Sequence, residues 1–364
     1  MATQISQPAS TPVPGGAPRK RRIADRLPVV HQLRQSVGLQ RGMLIAGLVI
    51  TGIFVLTAVF APVLAPFKYN QLRADGVAFG AQQAPSGAHL LGTTVGGYDV
   101  LSRVIWGAQT ALFVIIVAVI LSIFAGVLLG LVSGYFGGWL DRVLVVVCDA
   151  VYAFPSLLLA IVMSIVISGG RSDLVGGVLA AAISITVVFI PQYFRVIRAE
   201  TVRIKAEAYV ESARVLGASN SRIMFRHVLR NATRTLPLIF TLNASEAILT
   251  LSGLGFLGFG IEPSAAAEWG YDLNKSLSDV TSGIWWTSVF PGVAIVLVVL
   301  GVTLVGESLN DLADPRLRGR RAVTSGVAAE TSVVPGGTLD AGPGGVRGLE
   351  STPGFDDDGM GTVR

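Results

Sequence analysis

Six stretches of apolar residues dominate the chain, at about 43–64, 111–133, 143–167, 174–193, 236–257 and 284–305. At a rise of about 1.5 Å per residue, each is long enough to cross a hydrocarbon core roughly 30 Å thick. A lipid-exposed backbone has to satisfy its own hydrogen bonds, so the stretches are predicted as helices and not as strands of an open sheet. From Val104 to Leu140 no residue carries a charge, a longer run than a soluble core helix needs. The expected fold is an all-α polytopic membrane protein with six transmembrane helices.

Polar segments flank this region. Residues 1–25 are rich in Pro, Ser, Thr and Gly and carry the run Arg19, Lys20, Arg21, Arg22 without apolar periodicity, which predicts a disordered tail. Its basic run suits an anionic lipid surface. Residues 322–364, ending near Asp356, Asp357 and Asp358, read as a second such tail. The expected organisation is a tail and juxtamembrane segment over 1–40, a membrane domain over 41–321 and a tail over 322–364. The run at Arg19–Arg22 stands about twenty residues before the first apolar stretch, unlike a cleaved signal peptide, so the first span is expected to remain in the mature protein.

Composition agrees with a bilayer: 51% of the residues are hydrophobic and 14% charged, against about a quarter charged in an ordinary soluble domain. The net charge of +5 does not point to nucleic acid, because the basic residues are scattered among apolar spans and form no aromatic-interleaved patch. Cys148 is the only cysteine and lies in an apolar stretch, which excludes an intrachain disulfide and predicts a packing role. His31, His89 and His227 are far apart and show no metal-ligand spacing. With six spans assumed, 23 lysines and arginines fall in the two tails, the second loop and the fourth loop, and 5 in the other loops. The positive-inside rule then places both termini and the fourth loop in the cytoplasm.

The fourth loop, about 194–235, is too long for a simple connector. Within it Val202, Ala206, Tyr209, Ala213 and Leu216 recur at intervals of four and three, which predicts one face of a helix. Arg203, Glu207, Glu211 and Arg214 fall on or beside the other face, with Arg203 and Glu207 one turn apart and able to pair. Gly217 stands where a helix ends most easily, and Ser219 or Asn220 is placed to cap the next one. The predicted product is a helix, a sharp glycine turn and a short basic helix, a shape suited to docking into a groove on a partner.

These residues resemble a known family. The segment from Glu207 to His227, Glu-Ala-Tyr-Val-Glu-Ser-Ala-Arg-Val-Leu-Gly217 followed by Ala-Ser-Asn-Ser-Arg222 and Ile-Met-Phe-Arg-His227, is similar to the cytoplasmic EAA loop of bacterial ABC importer permeases. The resemblance is closest to the second permease of dipeptide and oligopeptide importers, a type also used for nickel, and extends from about Arg34 to Arg318. Leu91-Gly-Thr93, Asp99-Val-Leu-Ser-Arg103, Gly134-Tyr-Phe-Gly-Gly-Trp139, Phe154-Pro-Ser-Leu157, Phe256-Leu-Gly258 and Asp314-Pro-Arg-Leu-Arg318 support it in order and spacing. Thr94, Tyr98, Arg230 and Leu251 stand where the family more often has an acid, an arginine, a proline and a glutamate. Without that proline, the helix after Gly217 is expected to extend toward Thr235.

The resemblance implies that the loop over about 200–231 is a coupling element for ATP-binding subunits. Glu211, Ser212, Ala213 and Gly217 occupy the EAA and glycine positions, and Glu207, Tyr209, Leu216, Arg222 and His227 share the surface. It also implies a homologous second permease forming a heterodimer, two ATP-binding subunits or domains that hold ATP and Mg, an extracellular solute-binding protein, and alternating access. No Gly-rich phosphate loop ending in Lys-Ser or Lys-Thr occurs, so no cofactor and no ATP hydrolysis are expected in this chain.

Within the spans, Asp149 and Glu246 each cost on the order of 3 kcal/mol at a helix centre and are expected to face protein or water. With Asn243 they are the polar candidates for a pathway. A proton or substrate relay is one reading, and a bond to a neighbouring helix or partner subunit the other. A gradient-driven secondary transporter using these acids is the rival function. A membrane enzyme is disfavoured, since no nucleophile, base and orienter set appears. Pro155 and Pro191 are candidate kinks. Trp285 and Trp286 suit an interfacial belt.

Overall fold

The computed structural model describes residues 39–169 and 175–313. The readings made on the two tails, on His31 and on Asp314–Arg318 lie outside the described residues. The chain begins with α1 (Leu39–Val59) and α2 (Ala61–Leu64), then a hairpin of β1 (Arg73–Ala74) and β2 (Val77–Ala78) with Arg73 opposite Ala78. Next come α3 (Val100–Phe136), α4 (Gly138–Tyr152), α5 (Ser156–Ser168), a π-helical turn at Val175–Leu179 and α6 (Ala180–Lys205). The fourth loop holds α7 (Ala208–Val215), α8 (Asn220–Arg222), a π-helical turn at Ile223–Val228, α9 (Leu229–Ala232) and a 3-10 turn at Thr233–Thr235. The remainder is α10 (Leu236–Phe256), α11 (Trp269–Lys275), α12 (Leu277–Thr281) and α13 (Trp286–Ala313).

Five helical runs among the described residues are long and apolar enough to cross a membrane, and α4 with α5 makes a sixth if the pair counts as one span. The apolar stretch over 143–167, with Pro155 as its candidate kink, is not one continuous helix: α4 and α5 meet at 97°. Proline explains the break, because Pro155 lacks an N–H and its ring pushes Phe154 out of helical conformation. Pro191, by contrast, is buried inside an uninterrupted α6. The fifth span is also longer than expected, since the helical run is continuous from Asn220 to Phe256. Arg230 sits within it, in the place where a proline would have interrupted the hydrogen bonds.

The core forms where α3 and α6 come together. Gly126, Gly130 and Gly134 recur every four residues and so share one face of α3. A Cβ on Gly130 would stand 2.7 Å from the Phe194 carbonyl oxygen and 3.0 Å from the Arg198 nitrogen, and one on Gly134 would stand 2.8 Å from the Arg198 carbonyl oxygen. The backbones thus touch along two helical turns, the packing small residues allow in a bilayer, where apolar burial gives helices no preference for each other over lipid. Phe189, Tyr193, Ala247, Ile248 and Leu251 fill the centre beside this seam.

At the end where α3 begins, the loops over 65–99 and 257–285 fold into a cap layer. Asp99 caps α3, accepting from the Ser102 backbone N–H at 2.8 Å and from its hydroxyl at 2.7 Å, and His89 Nδ1 lies 2.9 Å from the same carboxylate. Arg103, 2% exposed, donates from Nε to both oxygens of Asp272 at 2.7 and 2.8 Å and from Nη1 to the Tyr69 carbonyl. Its guanidinium carbon lies 5.1 Å from the Tyr98 ring centroid, so a tyrosine takes up a cation at the position where the resembled family more often has an arginine. The Trp269 indole donates to the Val104 carbonyl, and Glu268 caps α11 through the N–H groups of Gly270 and Tyr271, both at 2.7 Å. Trp286 donates to the Thr93 carbonyl at 3.3 Å, which ties it into the cap layer.

Two outcomes follow from this packing. Gly130→Leu should destabilise the protein by about 3 kcal/mol, the upper range for overpacking, whereas Gly52→Ala, where a Cβ meets nothing within 4 Å, should leave thermal unfolding in detergent unchanged. Burial pushes the Glu268 carboxyl up from 4.5 to about 8, against the pull of the two N–H groups it accepts from. The folded chain then keeps this proton to higher pH than the unfolded chain does. The contribution is full below about pH 4.5 and is lost as pH rises through about 8. Glu268→Gln removes the titration, so between those pH values the variant's melting temperature should fall less than that of the unaltered protein.

Candidate functional site

The fourth loop is built on a braced base. Lys205, the last residue of α6, donates from Nζ to the carbonyls of Gly134 and Tyr135 at 2.8 and 3.3 Å, placing a cation on the open C-terminal carbonyls of α3. Arg198 makes a two-pronged contact with Asp141 at 2.5 and 2.7 Å, and the Ser133 hydroxyl donates to the same carboxylate. These contacts join α3, α4 and α6 just below the loop. The Tyr135 hydroxyl reaches across to Asn220 Oδ1 at 3.0 Å.

The predicted single helical face from Val202 to Leu216 is corrected. α6 ends at Lys205, Glu207 is extended with ψ 141°, and a separate α7 begins at Ala208. The period continues through the break, so spacing alone does not register it. The residue of α7 that turns inward is Val210, 0% exposed, which packs with Ile204, Ile223, Met224 and Val228 in a small core of its own. Ala213 packs against that core, whereas Tyr209 and Val202 are exposed.

Gly217 ends α7 with φ +80°. The Ala218 N–H donates to the Ala213 carbonyl at 3.1 Å and the Gly217 N–H to the Arg214 carbonyl at 3.0 Å, the paired bonds of a Schellman turn. Ser219 then caps the next helix, accepting from the Arg222 N–H. Asn220, the other cap candidate, instead anchors Tyr135. Glu207 lies 3.7 Å from Arg203, whose closer partner is Glu200 at 2.7 Å. The Ser212 hydroxyl donates to the Ala208 carbonyl, and Asn231 donates to the Tyr209 hydroxyl at 3.0 Å and to the His227 carbonyl at 2.9 Å. Glu211 and Arg222 point to solvent. At the tip Val215 and Leu216 are 83% and 86% exposed. Two bare aliphatic side chains on a rigid polar protrusion suit an apolar cleft.

The polar residues within the spans separate into different situations. Asp149, for which the sequence offers no obvious partner, is paired: Arg195 Nη2 donates to it at 2.7 Å, and the same guanidinium lies 4.2 Å from the Tyr152 ring centroid. Asn243 is buried, its amide nitrogen without a hydrogen-bond partner among the described residues. Glu246 lines a small cavity at the α4–α5 break, together with Tyr152, Phe154 and Gln192. Tyr152, Gln192, Arg195 and Lys205 carry much of this geometry and were not singled out from the sequence, where each reads as an ordinary flanking residue.

Comparison with known proteins agrees with this architecture. Residues 126–319 match the family described as binding-protein-dependent transport system inner membrane component, and residues 40–85 match the N-terminal TM domain of oligopeptide transport permease C. The dipeptide transport system permease protein of Alkalihalophilus pseudofirmus is 33% identical over 320 residues, 87% of this chain and 100% of the relative. The glutathione transport system permease protein of Pectobacterium atrosepticum is 32% identical over 292 residues, 79% of this chain and 89% of the relative. That of Escherichia coli O6:K15:H31 is 33% identical over 268 residues, covering 73% and 84%. The chain belongs to the binding-protein-dependent inner membrane transport family, as an ABC importer permease subunit of the dipeptide and oligopeptide type.

Proposed function

We propose that this subunit forms one half of a translocation path for short peptides or glutathione-like solutes and couples it to ATP-binding subunits through the loop from Glu207 to His227. A homologous second permease encloses the other half, and an extracellular binding protein delivers the solute. The observation that carries this reading is the tip of the loop, where Val215 and Leu216 stand bare while every element beneath them is tied down. A closing motion of ATP-binding subunits that grip this tip would move α6 and α3 as one body and shift the permease pair between two packings. The charge bias of 23 against 5 supports a cytoplasmic position for the loop and both termini.

The pairing of Asp149 with Arg195 weakens the rival gradient-driven mechanism, because it removes one of the two acids that would bind a coupling ion. The dipeptide and glutathione named for the relatives favour peptides over a nickel chelate.

Leu216→Asp should reduce co-purification of the ATP-binding subunit at least about tenfold, as loss of a central anchor does. Gly217→Pro should do the same, since proline cannot adopt φ +80° and has no N–H for Arg214. Both variants should insert normally in the membrane, and retained association would sink the docking role. In a Cys148→Ser background, Leu216→Cys should react with a membrane-impermeant thiol reagent in inside-out vesicles and not in intact cells. The reverse pattern would invert the orientation.

A further inference from the structure

We infer that Glu246 receives the ammonium group of the solute during its passage through the membrane, an inference that rests on the importer reading above. Glu246 sits at the middle of the 21-residue α10. Its carboxylate makes no hydrogen bond and no ion pair among the described residues, although an unpaired acid at that depth is expensive. Asp149, the other acid within the spans, is paired with Arg195 at 2.7 Å and does not line this cavity, whereas Glu246 does.

The cavity fits a cationic end group. It has a volume of about 190 Å³ and is lined by Tyr152, Phe154, Ser156 and Gln192 beside Glu246, with aliphatic residues between them. That is smaller than the roughly 300 Å³ of a site for a whole drug-sized ligand, and so suits one terminus of a solute. A primary ammonium placed there gains the Glu246 carboxylate as counter-ion, with Phe154 and Gln192 lining the same cavity, while the Tyr152 ring already holds the Arg195 guanidinium. The cavity also lies at the 97° break between α4 and α5. Irregular backbone at membrane depth is tolerated where it lines a polar cavity and not where it meets lipid. Short peptides with a free amino terminus share this ammonium, as does glutathione. A lysine or arginine of the second permease would offer the same chemistry from a different source.

The test uses the assembled importer, with both permeases, the ATP-binding subunits and the binding protein, in liposomes. ATP-driven uptake is measured with dialanine and with glutathione. Glu246→Gln should lower uptake of whichever probe the unaltered complex carries at least about tenfold, and Glu246→Asp should restore it to within about threefold. The Gln variant should assemble in normal yield with an unchanged melting temperature. Uptake by Glu246→Gln within about twofold of the unaltered complex would overturn the inference while leaving the importer reading intact. A loss of assembly or a lower melting temperature would overturn it in favour of a pair with the second permease. If the unaltered complex carries neither probe, the peptide reading fails and this inference falls with it.

Discussion

The contact on which the structure depends is the backbone approach of α3 to α6. In lipid the usual burial of apolar area gives two helices little reason to prefer each other, so close van der Waals packing has to hold them. Gly126, Gly130 and Gly134 remove the side chains that would keep the axes apart, and the carbonyls of Ile190, Phe194 and Arg198 come within contact of the places their Cβ atoms would occupy. Because this seam is made of backbone, it has no rotamers to adjust. The ion pair of Arg198 with Asp141 and the Lys205 cap at the same end follow from it, since each needs α6 in register with α3 and α4 to within a fraction of an ångström.

The two ends of that seam serve different purposes. Where α3 begins, buried charge is matched at short range: Arg103 against Asp272, with Tyr98 on the guanidinium face. Removing one member would leave the other charge buried without compensation, which is the costly case for buried pairs. Where α3 ends, the polar contacts are half-exposed and support a separate small core under Val210. The middle of the molecule carries the irregularity, with the α4–α5 break and the polar groups around it. Rigid ends and an irregular centre are the distribution that the proposed transmission of movement past a polar cavity would need.

Much of this was legible in the sequence because the bilayer imposes a length. Six apolar stretches locate the spans without any appeal to packing, and the glycine turn at Gly217 is readable because φ near +80° has few other occupants. The break at Ala206 and Glu207 was not readable, since the apolar period runs through it unchanged. Pro155 indicated a disturbance but not its size, because the angle depends on what α5 packs against once it is freed from α4. The Asp149–Arg195 pair spans 46 positions and requires the α4–α6 register, which local pattern does not contain. The spacing of four between Gly126, Gly130 and Gly134 is visible in the sequence, but which helix it receives is not.

The length of α3 has a mechanical consequence. At 37 residues it is about 55 Å long, well beyond the roughly 30 Å of hydrocarbon it crosses. One end is tied to the cap layer through Arg103 and Asp272, and the other carries Lys205 and, through Tyr135, the loop. A stiff rod anchored this way behaves as a lever with its fulcrum in the membrane: a tilt of roughly 10° about its middle would carry each end about 5 Å, in opposite directions. In the proposed coupling the same helix would serve as strut and transmission, and the glycine seam to α6 would make both helices turn together.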